Sequence, residues 1–173
     1  MARIPYIEKD HAPAEVKAIY EQLEKKFGMV PNVVKAMANS PGLLQGFMLF
    51  LGAVLGPSAV DVPLKELAIL TTSKINGCSY CTAHHTAAGK RAGLTKEKIE
   101  VTPDPNSEAL DEKERAVVRF AKEVTERVSA SEESINELRK YFNDSQIAEL
   151  NLVIGAFNVL TRFADTFKVD LEH

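Results

Sequence analysis

Apolar residues in this chain recur at intervals of three and four along nearly its whole length, the spacing that lines one side of an α-helix. The stretch PAEVKAIYEQLEKKF (13–27) puts Val16, Ile19, Tyr20, Leu23 and Phe27 on one stripe with charges opposite, and Gly28 supplies a natural stop. No run alternates as a strand does beside a hairpin turn, and no period repeats. The chain is therefore expected to be all-α, a single bundle of about seven to eight helices.

The breaks are as informative as the stripes. Pro31 to Ala38 reads as a short helix ended by Asn39-Ser40-Pro41. Gly42 to Leu55 is almost wholly apolar, so it is expected to be buried or to lie against another subunit. Asp61-Val62-Pro63 opens a helix that Asn76-Gly77 ends near Ile75. The next segment continues as a helix from the cysteines to Ala92, with Gly93 as its cap. Thr95 begins a short N-capped turn, and 101–107 is a loop. Asp111 to Val128, Ser131 to Phe142 and Asp144 to Phe167 complete the set, with Ser131 and Asn143-Asp144 as caps. The last helix carries Ile147, Leu150, Val153, Ile154, Phe157, Leu160, Phe163, Ala164 and Phe167, an apolar surface broad enough for oligomer contact as well as core.

At 173 residues the chain suits one domain that needs no covalent staple. An N-terminal helical arm to about residue 40, a core over 41–100 and C-terminal helices over 108–168 are expected. The final Leu171-Glu172-His173 reads as the beginning of a vector-encoded histidine tag and is set aside. Hydrophobic residues make up 45% and charged residues 26%, with a net charge of −3. No basic face points to nucleic acid, and no basic run points to a membrane surface. The N-terminal residues carry no apolar signal segment and the longest apolar runs are too short for a bilayer, so a cytoplasmic location is expected.

Both cysteines and two of the four histidines fall in one decapeptide, NGCSYCTAHH (76–85). On a helix starting at Cys78, Cys81 lies about 60° away and His85 about 20° away, so the three share a face, while Tyr80 and His84 point elsewhere. The spacing lets the two sulfurs join as a disulfide at a helix start. First-turn amides favour a thiolate there, and His85, one turn beyond Cys81, can take its proton.

Three roles fit this pattern. Redox dithiol chemistry fits best. A zinc site built on Cys78, Cys81 and His85, with Glu66 or water as the fourth ligand, is the main rival, although no second ligand pair is present. An inert structural cysteine pair is the third. His84 and Tyr80 suit packing or hydrogen bonding, with a proton-relay role as the functional alternative. Glu66, in the apolar run LKELAIL (64–70), either faces solvent beside Lys65 or serves the site. It lies about 15 Å along its helix from Gly77, so a tight hairpin would set it beside Ala87-Ala88 rather than Cys81.

Glu66, Cys78-Ser79-Tyr80-Cys81 and His85 together closely resemble the E–x11–CxxC–xxx–H signature of the alkylhydroperoxidase D-like branch of the carboxymuconolactone decarboxylase superfamily. Val30-Pro31-Asn32, Ser40-Pro41, Ala88-Gly89 and Phe157-Asn158 with Arg162 are similar to flanking parts of that family. The CxYCxxHH form resembles its peroxidase-related subgroup. The resemblance covers about residues 4–167. It implies an all-helical fold assembled into trimers or hexamers, and hydroperoxide reduction without haem, flavin or other cofactor, with electrons from an external thiol or dithiol. By position it implies Cys81 as the peroxidatic thiolate, Cys78 as the resolving cysteine, His85 as the base and Glu66 as its partner. The best-known branch has a histidine where this chain has Tyr80, so His84 or Tyr80 is the candidate replacement in the relay. The branch that decarboxylates a lactone lacks the CxxC pair. Its acid–base chemistry, through His85 or His84 and Glu66, is an alternative, as is a non-catalytic or zinc-binding oligomer.

Overall fold

A computed structural model describes residues 2–172. Among them are a 3₁₀ turn, Lys9–His11, and nine α-helices with no strand: α1 (Ala14–Phe27), α2 (Asn32–Met37), α3 (Pro41–Leu55), α4 (Val62–Ile75), α5 (Ser79–Arg91), α6 (Lys96–Val101), α7 (Glu112–Arg127), α8 (Glu132–Leu138) and α9 (Asp144–Phe167). The all-α expectation holds. The count exceeds seven to eight because the Thr95 segment forms a full short helix, its first turn closed by the Thr95 hydroxyl accepting from the Lys98 amide. The helix expected to reach Phe142 ends at Leu138.

The chain divides into two compact units. One comprises residues 2–53 and 164–172. Its core is Val16, Tyr20, Leu23, Val30, Val34 and Leu44. Gly28 caps α1 in the left-handed region (φ 77°), where a side chain is disfavoured. Phe27, expected on the buried stripe, is exposed: it is the last residue before that reversal, and the Lys26 ammonium lies 5.2 Å above its ring. The two ends of the chain meet in this unit, the Arg3 amide donating to the Phe167 carbonyl (2.8 Å). Of the terminal residues set aside above, Glu172 accepts from the Asn32 amide (2.6 Å), while His173 lies outside the described residues.

The other unit, 54–163, is built on α4, which is buried from Leu64 to Ser73. Leu67, Leu70, Val117, Phe120, Leu138, Leu150 and Ile154 form its centre. The α7 start is fixed by a capping box, Asp111 and Glu114 each accepting from the other's amide. Gly89 lets α5 close on its neighbours, since a Cβ there would sit 3.1 Å from Leu94 Cδ1 and 3.5 Å from Leu70 Cδ1. By length and composition α9 could cross a bilayer, yet Leu150, Val153, Ile154, Phe157 and Leu160 on it are buried within the protein. The apolar α3 is not fully covered: Leu43 is 76% and Leu49 74% exposed.

Candidate active site

The turn between α4 and α5 places the cysteines. Asn76 ends α4, Gly77 adopts φ 67°, and two backbone bonds close the helix: Gly77 N–H to the Lys74 carbonyl (3.1 Å) and Cys78 N–H to the Ser73 carbonyl (3.0 Å). This is a Schellman ending, which needs a residue tolerant of positive φ at the Gly77 position. Cys78 is consequently not the first residue of a helix, as the sequence suggested, but its extended N-cap (φ −78°, ψ 97°), and α5 begins at Ser79. Its sulfur takes the capping role, accepting from the Cys81 amide at 3.2 Å. Of the two cysteines that the sequence places at a helix start, the start thus acts most directly on the Cys78 sulfur.

Cys78 and Cys81 are joined as a disulfide with their Cα atoms 5.4 Å apart, an ordinary span for the bond. Both are buried. One turn further, His85 Nδ1 lies 2.7 Å from Glu66 Oε2. Glu66 therefore faces His85 and not Ala87-Ala88, because the Schellman turn is tight and centres the helical hairpin near Ile75-Asn76. Nor does Glu66 face solvent with Lys65: they are 7% and 2% exposed. A carboxylate can only accept, so Nδ1 carries the proton in the neutral ring and Nε2 is left as a base. The ring packs against Phe157 of α9 in a T-shaped contact, centroids 4.5 Å apart and planes near perpendicular (84°).

The turn is anchored to the same stretch of α9. Asn76 Nδ2 donates to Asn158 Oδ1 (3.0 Å) and to Thr161 Oγ1 (2.8 Å), and Arg162 donates to the same Asn158 oxygen (2.5 Å). The chain pattern around Phe157-Asn158 and Arg162 hinted at these residues, but Asn76 and Thr161 carried no chemical signal and emerge only from the tertiary contact. Tyr80 and His84 pair with each other, their rings 4.5 Å apart and tilted by 48°, Tyr80 being buried.

Beside Glu66, Lys65 is held in a separate network. Its ammonium donates to the Val54 and Gly56 carbonyls (2.8 and 3.1 Å) and to Ser58 Oγ (2.5 Å), and pairs with Glu149 (2.7 Å). Burial raises the affinity of Glu149 for a proton, but the bonds from Lys65 and Ser58 outweigh it and hold that carboxyl below its ordinary value. Among the described residues no group of three or more His, Cys, Asp or Glu is arranged to hold a metal ion.

A CxxC disulfide at a helix start, followed by a histidine bonded to a buried glutamate within an all-helical unit, makes up the candidate dithiol site. The carboxymuconolactone decarboxylase family model matches residues 41–123, which include all of these groups. The structure of an uncharacterized peroxidase-related protein from Silicibacter sp. TM1040 is similar at 28% identity and TM-score 0.86, covering 99% of this chain and 92% of that one. That of an alkylhydroperoxidase AhpD core protein from Ralstonia eutropha JMP134 has TM-score 0.87 at 22% identity, with the same coverage. The fold is also that of the debrominase Bmp8, crystallised with 2,3,4-tribromopyrrole: TM-score 0.84, 20% identity, 98% and 91% covered. Residues 41–123 thus match the carboxymuconolactone decarboxylase family, and the fold is AhpD-like.

Proposed function

We propose that the protein is a cofactor-independent, thiol-dependent reductase of alkyl hydroperoxides that works through the Cys78–Cys81 dithiol. The observation that carries this reading is the Glu66–His85 pair one turn beyond a CxxC disulfide. An unperturbed cysteine is mostly protonated near neutral pH. His85 Nε2 takes the Cys81 proton, with Glu66 stabilising the imidazolium that results. The Cys81 sulfur attacks the terminal peroxide oxygen, and the O–O bond breaks. The alkoxide leaves as alcohol with the proton from His85, and Cys81 becomes a sulfenic acid. Cys78 displaces water from it to form the disulfide. An external dithiol restores both thiols by exchange and is itself oxidised. Tyr80 and His84 flank the relay in place of the histidine found in the best-known branch.

Thiol-dependent loss of an alkyl hydroperoxide, followed at neutral pH with dithiothreitol as donor, tests the reading. Activity is expected to vanish in Cys81→Ser, and in Cys78→Ser a sulfenic acid on Cys81 should be trapped by dimedone. Full activity in Cys81→Ser would overturn the assignment. The bromopyrrole bound by the structurally similar debrominase makes an activated carbon–bromine bond a second acceptor worth including in the same assay. Survival of a lactone-directed activity in the double Cys→Ser variant would favour acid–base chemistry instead.

We place the protein in the cytoplasm, where a reducing thiol pool can recharge the dithiol. We further propose that it is a homo-oligomer, a trimer or hexamer. Leu43 and Leu49 on α3 are exposed, as are Leu152 and Val159 on α9, and each pair of large apolar side chains is better covered by another copy than by water. Light scattering coupled to size exclusion should give a mass above that of one chain.

A further inference from the structure

Ser73 stands apart from its neighbours on α4. Thr71 and Thr72 return their hydroxyls to the carbonyls four residues back, Leu67 (2.7 Å) and Ala68 (3.0 Å). Ser73 is fully buried (0% exposed) and its hydroxyl has no hydrogen-bond partner. A buried donor left unmade is destabilising, and such a group in a native core calls for a reason. Its position supplies one. Seven residues after Glu66, it lies about 20° from Glu66 around the helix, on the face that meets His85. The pairing of 66 with 85 across the hairpin puts 73 opposite 78, and the Cys78 amide does bond to the Ser73 carbonyl (3.0 Å).

We propose that the Ser73 hydroxyl is the hydrogen-bond donor reserved for the Cys78 thiolate that forms when the disulfide opens, making Ser73 a redox-positioning residue. The inference rests on the dithiol cycle proposed above. A disulfide sulfur is a poor acceptor, whereas a thiolate is a strong one, so the hydroxyl is orphaned only in the oxidised protein. When an incoming thiolate attacks Cys81, the S–S bond breaks and its electron pair passes to Cys78. The Cys81 amide already donates to that sulfur (3.2 Å), and the hydroxyl of Ser73, whose carbonyl holds the Cys78 amide, is the second donor that the leaving thiolate can recruit. A better stabilised leaving thiolate departs faster and shifts the couple toward the dithiol.

The test compares the wild type with Ser73→Ala, using Ser134→Ala as control, since Ser134 on α8 is, among the described residues, the other buried hydroxyl without a partner. Each is equilibrated in glutathione redox buffers, and the disulfide fraction is read by alkylation and mass spectrometry. Ser73→Ala should shift the equilibrium toward the disulfide by about tenfold, which is about 30 mV for a two-electron couple. Ser134→Ala should leave it unchanged. The oxidised form of Ser73→Ala should also melt higher than oxidised wild type, with no matching gain in the reduced form. In a Cys81→Ser background, Ser73→Ala should move the alkylation profile of Cys78 to higher pH. A Ser73→Ala potential equal to wild type would refute the role of Ser73 while leaving the dithiol cycle intact. A wild type with no reversible couple would refute both.

Discussion

Glu66 Oε2 and His85 Nδ1 lie 2.7 Å apart across the α4–α5 hairpin, with the dithiol one turn nearer the bend. The bond fixes which ring nitrogen carries the proton and so which can serve Cys81. Glu66→Gln keeps the shape but removes the charge that favours imidazolium. Peroxide reduction by this variant should fall by about 10²-fold or more, in the range that general acid–base groups contribute. The decrease should appear in kcat, with the stopped-flow alkylation of Cys81 slowed in parallel. An unchanged rate would remove Glu66 from the relay.

Buried Lys65 and partly buried Glu149 form an ion pair whose loss should be felt in stability. Lys65→Met takes the ammonium from Glu149 and the donor from the Val54 and Gly56 carbonyls, leaving Glu149 with Ser58. This should cost about 1–3 kcal/mol, chiefly from the buried carbonyls left without a donor, read from the urea midpoint. The pair also gives an acid signature. The Glu149 proton affinity is lower folded than unfolded, so its stabilisation is present above the unfolded carboxylate value of 4.5 and is lost as pH falls through the lower folded value. Glu149→Gln should flatten that part of the stability profile.

Tyr20 marks the alkaline limit of the other unit. Burial, reinforced by the Glu8 charge, pushes its phenol up to about 12 from 10.0, and its hydroxyl donates to the Ile7 carbonyl (2.7 Å). A group whose folded value is raised contributes fully below its unfolded value. Stability should therefore decline between about pH 10 and 12 as the unfolded phenol ionises first. Tyr20→Phe should cost about 1 kcal/mol at neutral pH and lose that decline, as thermal melts across the range would show.

Asn76 bridges the cysteine turn to Asn158 and Thr161. Asn76→Ala should lower stability by about 1–2 kcal/mol and also slow disulfide reduction by dithiothreitol, because the turn no longer holds the N-cap sulfur in register. Thr161→Ser should behave as wild type and Thr161→Val should follow Asn76→Ala. A change in the melt without a change in the exchange rate would limit this contact to folding.

Much of the architecture was legible because helix-forming information is local. Three- and four-residue spacing, the Gly28 stop, the Thr95 and Ser131 caps and the Asn76-Gly77 break all lie where the helices begin and end. The CxxC–His cluster was legible for the same reason, since its members sit within eight residues. What the spacing could not supply was the depth of each side chain. Whether Glu66 faces solvent beside Lys65 or serves the site was open from spacing; both are buried, because the carbonyls of 54 and 56, Glu149 and His85 receive them.

The sequence by itself determined the helical class, most of the helix boundaries and the chemical groups of the site, because these follow from neighbours a few residues apart. Only the tertiary structure decided that Glu66 meets His85, that the Cys78 sulfur caps α5, that Phe157, Asn158 and Thr161 brace the site and that the Ser73 hydroxyl is left without a partner. Those outcomes depend on how a three-residue helix ending aims one helix back along another and on which face of α9 packs against them. Short-range periodicity does not encode either.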